Sequence, residues 1–203
     1  MSARLVVLAS GSGSNLQALI DAVTDGRLDA EIVAVFVNRR GAHARRRAAE
    51  AGIPEEFVAL RPFLDAHADR RRGREAYDRA LAERVAAHRP DVVVCAGWMH
   101  LFTSGFLDRF PGRVVNLHPA LPGAFPGAHA IDDAWEAHVD DGLDRTGVMV
   151  HLIPDEGIDD GPVLASREVA ILADDTRESL EARIHEVEHE LLIDAVADLV
   201  RGS

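Results

Sequence analysis

The 203-residue chain has no lysine, one cysteine and no long apolar run. Without lysine, the phosphate-reaching side chain of a Walker A motif is missing, which excludes a P-loop nucleotide hydrolase. The single cysteine, Cys95, excludes an intrachain disulfide, and its place in the apolar run 92–96 predicts a buried small hydrophobe rather than a reactive thiol. No segment approaches the ~20 apolar residues of a membrane-spanning helix, and the run at 5–9 is too short for a secretory signal. We therefore expect a cytoplasmic protein with no membrane role.

Net charge and composition indicate which partners and how many domains to expect. The net charge of −12 repels the backbone of a nucleic acid, so we expect no nucleic-acid partner. No linker rich in Ser, Gly and Pro divides the sequence, which predicts one domain over residues 1–203.

Short runs rich in Val, Leu and Ile alternate with longer helical patterns. This alternation is typical of βαβ crossovers, and the nearly continuous apolar strands indicate a parallel sheet covered on both faces. The later part differs, because 147–153 and 163–171 are predicted strands, the second running antiparallel at the sheet edge. The predicted fold class is α/β, a mostly parallel twisted sheet flanked by helices with an antiparallel C-terminal portion. The other predicted strands are 4–9, 31–37, 57–60, 91–96 and 113–118, and the predicted helices are 14–25, 43–51, 74–88, 104–109, 129–139 and a long one from Thr176.

The stretch 114–119 carries the strongest chemical signal. Side chains in a strand alternate between its two faces, so Asn116 and His118 share one face. Pro119 ends the strand and places the imidazole at its C-terminal edge, where open α/β sheets bind their ligands. A carboxylate near an imidazole favours its charged form, and the acidic loop 155–162 could supply one. A solvated acidic turn remains the alternative for that loop.

A turn rich in glycine and serine joins the first strand to the first helix. Its free N–H groups and the helix dipole favour an anion such as phosphate. A plain tight turn is the alternative, and an NADP site is a weaker one, since the third glycine of a dinucleotide motif is replaced by Leu16. The residues of the turn are Gly11, Ser12, Gly13, Ser14 and Asn15.

The run 185–189 matches the H-E-x-x-H zinc motif, but only fourteen residues follow it and they contain no histidine. We expect no metal here. Glu188 instead lies beside an apolar helix stripe that is predicted to face the sheet, with His185 one turn earlier, and a carboxylate there suggests an amine or cationic ligand. The stripe consists of Leu180, Ile184, Val187, Leu191 and Ala195. Elsewhere, Arg74 could receive a carboxylate. The segment 97–102 offers an apolar wall that suits a flat heterocycle, with ordinary core as its alternative.

Taken together, the chain resembles the phosphoribosylglycinamide formyltransferase family over nearly its full length. The N-terminal Ser/Gly/Asn turn is the most specific sign of this family, and Asn-x-His-Pro with Asp-x-Gly-Pro marks formyltransferases more widely. The matching motifs, in family order, are SGSGSNL at 10–16, REAYD at 74–78, AGWM at 96–99, NLHP at 116–119, FPGAH at 125–129, DDGP at 159–162 and EH at 188–189.

The resemblance implies a Rossmann-like formyltransferase fold and transfer of the formyl group of 10-formyltetrahydrofolate, as co-substrate, to the amine of phosphoribosylglycinamide. Asn116, protonated His118 and Asp159 would be catalytic, and no metal would be required. The turn 11–15 would hold the substrate phosphate, with His185 and Glu188 near the glycinamide end. The implied folate-binding residues are Arg74, Met99, His100, Leu101, Phe102 and Asn116.

Three departures and two alternatives accompany this resemblance. The loop containing Gly157 is one residue longer than the family pattern, and two residues differ from it. His100 stands where an arginine is expected, and Met149 stands where a small hydroxyl residue is usual. A formyltetrahydrofolate hydrolase and a formyltransferase with another amine acceptor both stay open. Monomer and homodimer are equally compatible with the sequence.

Overall fold

A computed structural model describes residues 2–202 of the chain. Seven strands form one sheet in the order β3-β2-β1-β4-β5-β6-β7. Neighbours from β3 to β5 run parallel, whereas β6 pairs antiparallel with both β5 and β7. The predicted fold class, with its antiparallel C-terminal part, is confirmed. The strands are β1 Ala3–Ala9, β2 Ala30–Val37, β3 Glu55–Phe57, β4 Val92–Cys95, β5 Val114–His118, β6 Arg145–Leu152 and β7 Val163–Ala170.

Two apolar clusters, one on each face of the sheet, form the core. The long helix α7 lies on one face through the predicted stripe, with Leu180, Ile184, Leu191 and Ala195 buried and Val187 partly buried against the core. Thr176 begins that helix as its N-cap, as predicted, and Cys95 is buried. The helices are α1 Ser14–Thr24, α2 Ala44–Glu50, α3 Arg61–Asp65, α4 Arg70–Ala87, α5 Ser104–Leu107, α6 Ala130–Asp141 and α7 Arg177–Arg201.

The predicted strand 57–60 is wrong in its position. β3 ends at Phe57 because only Glu55–Phe57 pair with β2 at the edge of the sheet. The chain then enters the short helix α3, which sequence reasoning missed and whose start is favoured by Pro62 in its first turn.

The predicted start of helix 74–88 is also wrong. α4 begins at Arg70, since the carboxylate of Asp69 accepts the N–H of Arg71 at 2.8 Å and caps the helix. Arg70–Arg72 carry no apolar side chain, so the hydrophobic periodicity did not reveal this first turn.

Candidate active site

Asn116 and His118 lie at the C-terminal end of β5, where the parallel part of the sheet meets β6. The loop after β6 brings Asp159 against both of them. Its Oδ1 accepts from Asn116 Nδ2 at 3.1 Å, and its Oδ2 lies 3.3 Å from His118 Nδ1. The structure therefore brings together the amide, imidazole and carboxylate that the sequence singled out.

Asp159 is held as a carboxylate by several donors. The N–H of Gly127 donates to Oδ2 at 2.8 Å. Burial alone would raise the pKa of Asp159, but hydrogen bonding with His151 and Gly127, together with nearby His118, outweighs it and lowers the pKa below its ordinary value. The group at the centre of the site therefore carries negative charge at neutral pH.

The imidazole of His118 is almost fully buried, with 3% of its surface exposed. Its Nδ1 faces Asp159, and its Nε2 lies 3.0 Å from the carbonyl oxygen of Phe125. Because a carbonyl oxygen only accepts hydrogen bonds, both ring nitrogens face acceptors. This arrangement suits the doubly protonated imidazolium, whose two N–H groups would both donate.

His151 is a site residue that sequence reasoning missed. It lies directly opposite Asn116 in the antiparallel pair of β5 and β6. Its Nε2 lies 3.2 Å from Asn116 Nδ2 and 3.4 Å from Asp159 Oδ1, while Nδ1 donates to the Leu152 carbonyl at 2.9 Å. The available signal was a histidine inside an apolar, alternating strand, but its partner depended on the strand register.

Backbone conformation at the site is unusual. Phe125 and Asp159 have φ values of 44° and 52°, in the left-handed region that non-glycine residues rarely adopt. Among residues 2–202 one other non-glycine residue, Arg89, has a positive φ. Such conformations cost of order 1–3 kcal/mol and cluster at functional sites. Here they aim the Phe125 carbonyl at His118 and the Asp159 carboxylate at the β5 side chains.

A cavity of about 330 Å³ opens beside these groups. Its other wall is the segment 97–102, referred to below as the wall segment, which follows β4. Met99 and Leu101 are 50% and 55% exposed, whereas Trp98 and Phe102 are buried beneath them. Exposed apolar side chains next to a polar cluster are typical of a small-molecule site.

His100 lines the same cavity and packs edge-on against Tyr77 and Trp98, with ring centroids 5.9 and 5.5 Å away. Burial, and then the charges of Arg74 and Arg39, lower the pKa of His100 to about 4. The residue that departs from the expected arginine is therefore a neutral ring at neutral pH.

Arg74 reaches the wall segment from α4. Its Nη2 donates to the Leu101 carbonyl, and its Nε lies 3.5 Å from Oδ1 of the buried Asp78. Asp78 Oδ2 also accepts the N–H of Thr103 at 2.7 Å, and burial raises the pKa of Asp78. Arg74 and Asp78, both on α4, thus support the C-terminal end of the wall segment.

The glycine-serine turn lies between β1 and α1, as predicted. Gly13 has φ 72°, and an added Cβ there would lie 2.8 Å from the Ala44 Cα, so both the turn and the packing require glycine. The start of α1 has no side-chain cap, so no capping side chain accepts from the N–H groups of its first turn. This is the arrangement in which a helix N-terminus binds an anion.

Glu188 joins this turn to α7. Its buried carboxylate lies 2.6 Å from His185 Nδ1 and accepts from Asn15 Nδ2 at 3.4 Å. Hydrogen bonding to Glu188 raises the pKa of His185. Within the described residues, Asn15 Oδ1 and His189 Nε2 are buried without a hydrogen-bond partner.

The zinc-like motif of α7 is not arranged as a metal centre. His185 is hydrogen bonded to Glu188, and no group of three or more His, Cys, Asp or Glu side chains within 2–202 could hold a metal ion. Among residues 2–202, no helix is long and apolar enough to cross a membrane.

The sequence and fold place the chain in a known class. Residues 3–196 match the family model described as formyl transferase, so the chain belongs to the formyl transferase family.

Within that family it is similar to proteins of one named activity. The phosphoribosylglycinamide formyltransferase of Schizosaccharomyces pombe is 43% identical over 98% of both chains. That of Mycobacterium tuberculosis is 46% identical over 97% of this chain and 85% of its own. The crystal structure of glycinamide ribonucleotide transformylase 1 from Symbiobacterium toebii superposes with a TM-score of 0.87 at 35% identity, covering 99% of this chain and 89% of that one. The resemblance seen in the sequence is confirmed.

Proposed function

We propose that the protein transfers the formyl group of 10-formyltetrahydrofolate to the amine of phosphoribosylglycinamide. The observation that carries this proposal is the contact of Asp159 with both Asn116 and His118 at the mouth of an apolar cavity. The relatives named above support the choice of acceptor and do not favour the hydrolase alternative.

The cavity suits the folate co-substrate. A flat pterin ring matches a space of about 330 Å³ bounded by Met99 to Phe102 on one side and β5 on the other. We assign the carboxylate tail of the folate to Arg74. The Arg74 guanidinium is hydrogen bonded to the wall segment and lies next to the carboxylate of Asp78.

The acceptor substrate suits the turn 11–15 and α7. Its phosphate would bind the uncapped N-terminus of α1, which is typically worth 0.3–1 kcal/mol near a helix end and up to ~2 kcal/mol when partly buried. Its amine end would lie toward Glu188 and His185, and Asn15 Oδ1 offers an unused acceptor.

The reaction needs one bond made and one broken. The amine nitrogen attacks the formyl carbon and forms a C–N bond, which converts the formyl oxygen to an oxyanion. Asn116 Nδ2 and protonated His118 would donate to that oxyanion, and Asp159 would stabilise the imidazolium. For this, the formyl oxygen replaces the Phe125 carbonyl as the partner of His118 Nε2. It also replaces His151 Nε2 as the partner of one Asn116 N–H, while the other Asn116 N–H stays on Asp159. Collapse breaks the bond to folate N10, and the proton lost by the amine is delivered to that nitrogen.

The test measures the release of tetrahydrofolate from 10-formyltetrahydrofolate by the purified chain. Release should require phosphoribosylglycinamide and should not occur with ribose 5-phosphate, which has the phosphate but no amine. Release that is independent of the amine would support the hydrolase, and absence of release would refute both.

We further propose that the chain acts as one domain in the cytoplasm on these two small molecules, without a nucleic-acid or membrane partner. The net charge of −12 repels a nucleic-acid backbone and supports the absence of a nucleic-acid partner.

A further inference from the structure

Ser10 connects the two halves of the proposed site. It lies between the end of β1 and the turn 11–15, and it is 1% exposed. Its N–H donates to the Gly97 carbonyl at 3.0 Å, and its Oγ accepts the N–H of Met99 at 2.9 Å. One buried residue is therefore hydrogen bonded to the wall segment at two points while it begins the proposed phosphate turn.

These two bonds extend the contact between β1 and β4 beyond the sheet. The parallel pairing of the two strands ends at Leu8 and Cys95, and Gly97 turns the chain with φ 74°. From there the wall segment has no regular secondary structure. Its N-terminal part is attached through Ser10.

The C-terminal part of the wall segment is attached elsewhere. Arg74 binds the Leu101 carbonyl, and Asp78 binds the N–H of Thr103, so α4 supports that end. The wall segment thus has one attachment to the phosphate turn and another to α4, and substitution can separate them.

We propose that Ser10 is a positioning residue that couples the binding of the two substrates, an inference that rests on the proposed function. A phosphate bound at the N-terminus of α1 restrains the turn 11–15 and Ser10 with it. Ser10 then holds the backbone of Gly97 and Met99, so the folate ring meets a wall that is already ordered. Ordering by the first ligand lowers the entropic cost for the second, and the coupling must be reciprocal.

The experiment measures this coupling by calorimetry. The dissociation constant of phosphoribosylglycinamide is determined alone and with saturating tetrahydrofolate, a pair that cannot react, and the reverse titration is performed as well. We expect the wild type to bind each ligand at least about fivefold more tightly in the presence of the other. In Ser10→Ala, which loses the acceptor for Met99, this ratio should fall close to one.

Two variants serve as matched controls. Ser10→Thr keeps a hydroxyl acceptor and should keep the coupling. Asp78→Asn weakens the α4 attachment of the same wall, so it should lower tetrahydrofolate affinity while leaving the coupling ratio unchanged. A purely structural role of Ser10 would lower both affinities and the unfolding temperature without changing the ratio.

The inference is overturned by a wild-type ratio of one in both titrations, or by an undiminished ratio in Ser10→Ala. If Ser10→Ala does not fold, Ser10→Cys replaces it, because sulfur is a weaker acceptor and should reduce the ratio; an unreduced ratio there is equally decisive. Failure of the proposed function is recognised separately, since the wild type would then show no amine-dependent release, and the coupling proposal would fall with it.

Discussion

Replacement of Asp159 by asparagine tests the centre of the proposed site. Asparagine has the same shape but no charge, and one of its two terminal atoms is a donor. Asp159 Oδ2 faces Gly127 N–H and His118 Nδ1, and Oδ1 faces Asn116 Nδ2 and His151. Either orientation of the new amide therefore places its NH₂ group against a donor.

The size of the effect follows from these contacts. A hydrogen bond to a charged group is worth about 1.5–3 kcal/mol, and leaving a buried donor unsatisfied costs about 1–3 kcal/mol. The charge that would stabilise protonated His118 is lost as well, and general acid-base help is typically worth about 10²- to 10⁴-fold. We expect kcat to fall at least about 100-fold, which corresponds to about 2.7 kcal/mol in the barrier.

The assay compares kcat for amine-dependent tetrahydrofolate release with the affinity for phosphoribosylglycinamide alone. That affinity should change little, because Asn15 and Glu188 are not hydrogen bonded to Asp159. Asp160→Asn is the matched control, since it removes an exposed carboxylate from the same loop and should keep kcat near the wild-type value. A folded Asp159→Asn with kcat within fivefold of wild type would refute the catalytic assignment.

Three further predictions concern other parts of the structure. Because the pKa of His185 is raised, its pairing with Glu188 stabilises the fold fully below pH ~6.5 and less as pH rises through the folded pKa. The free energy of unfolding that Glu188→Gln loses, measured by urea unfolding, should therefore become smaller toward pH 9. A constant loss from pH 6 to 9 would contradict this prediction. Because the pKa of His100 is lowered to about 4, its NMR signals should show a neutral ring at pH 6, and a titration midpoint near 6.5 would contradict this lowered pKa. Thr176→Ala removes the acceptor that caps α7 and should reduce the free energy of unfolding by about 1 kcal/mol in denaturant titration, whereas no change would show that the cap is dispensable.

Local sequence patterns predicted much of the fold. Alternating apolar strands and helices predicted the mostly parallel sheet, and period-two alternation placed Asn116 and His118 on one face. The stripe from Leu180 to Ala195 predicted how α7 packs. The arginine-rich first turn of α4 has no apolar side chain to show helical periodicity, and the predicted start of that helix was wrong by four residues.

What the sequence by itself determined is therefore the set of elements and the identity of the polar residues at their ends, because these depend on neighbours in the chain. Only the tertiary structure decided which of them touch. Asp159 meets Asn116 across 43 positions and Gly127 across 32, and His151 joins them through the register of β6. The left-handed backbone at Phe125 and the link from Ser10 to Met99 likewise arise from packing between distant segments, since no local periodicity specifies contacts across such separations.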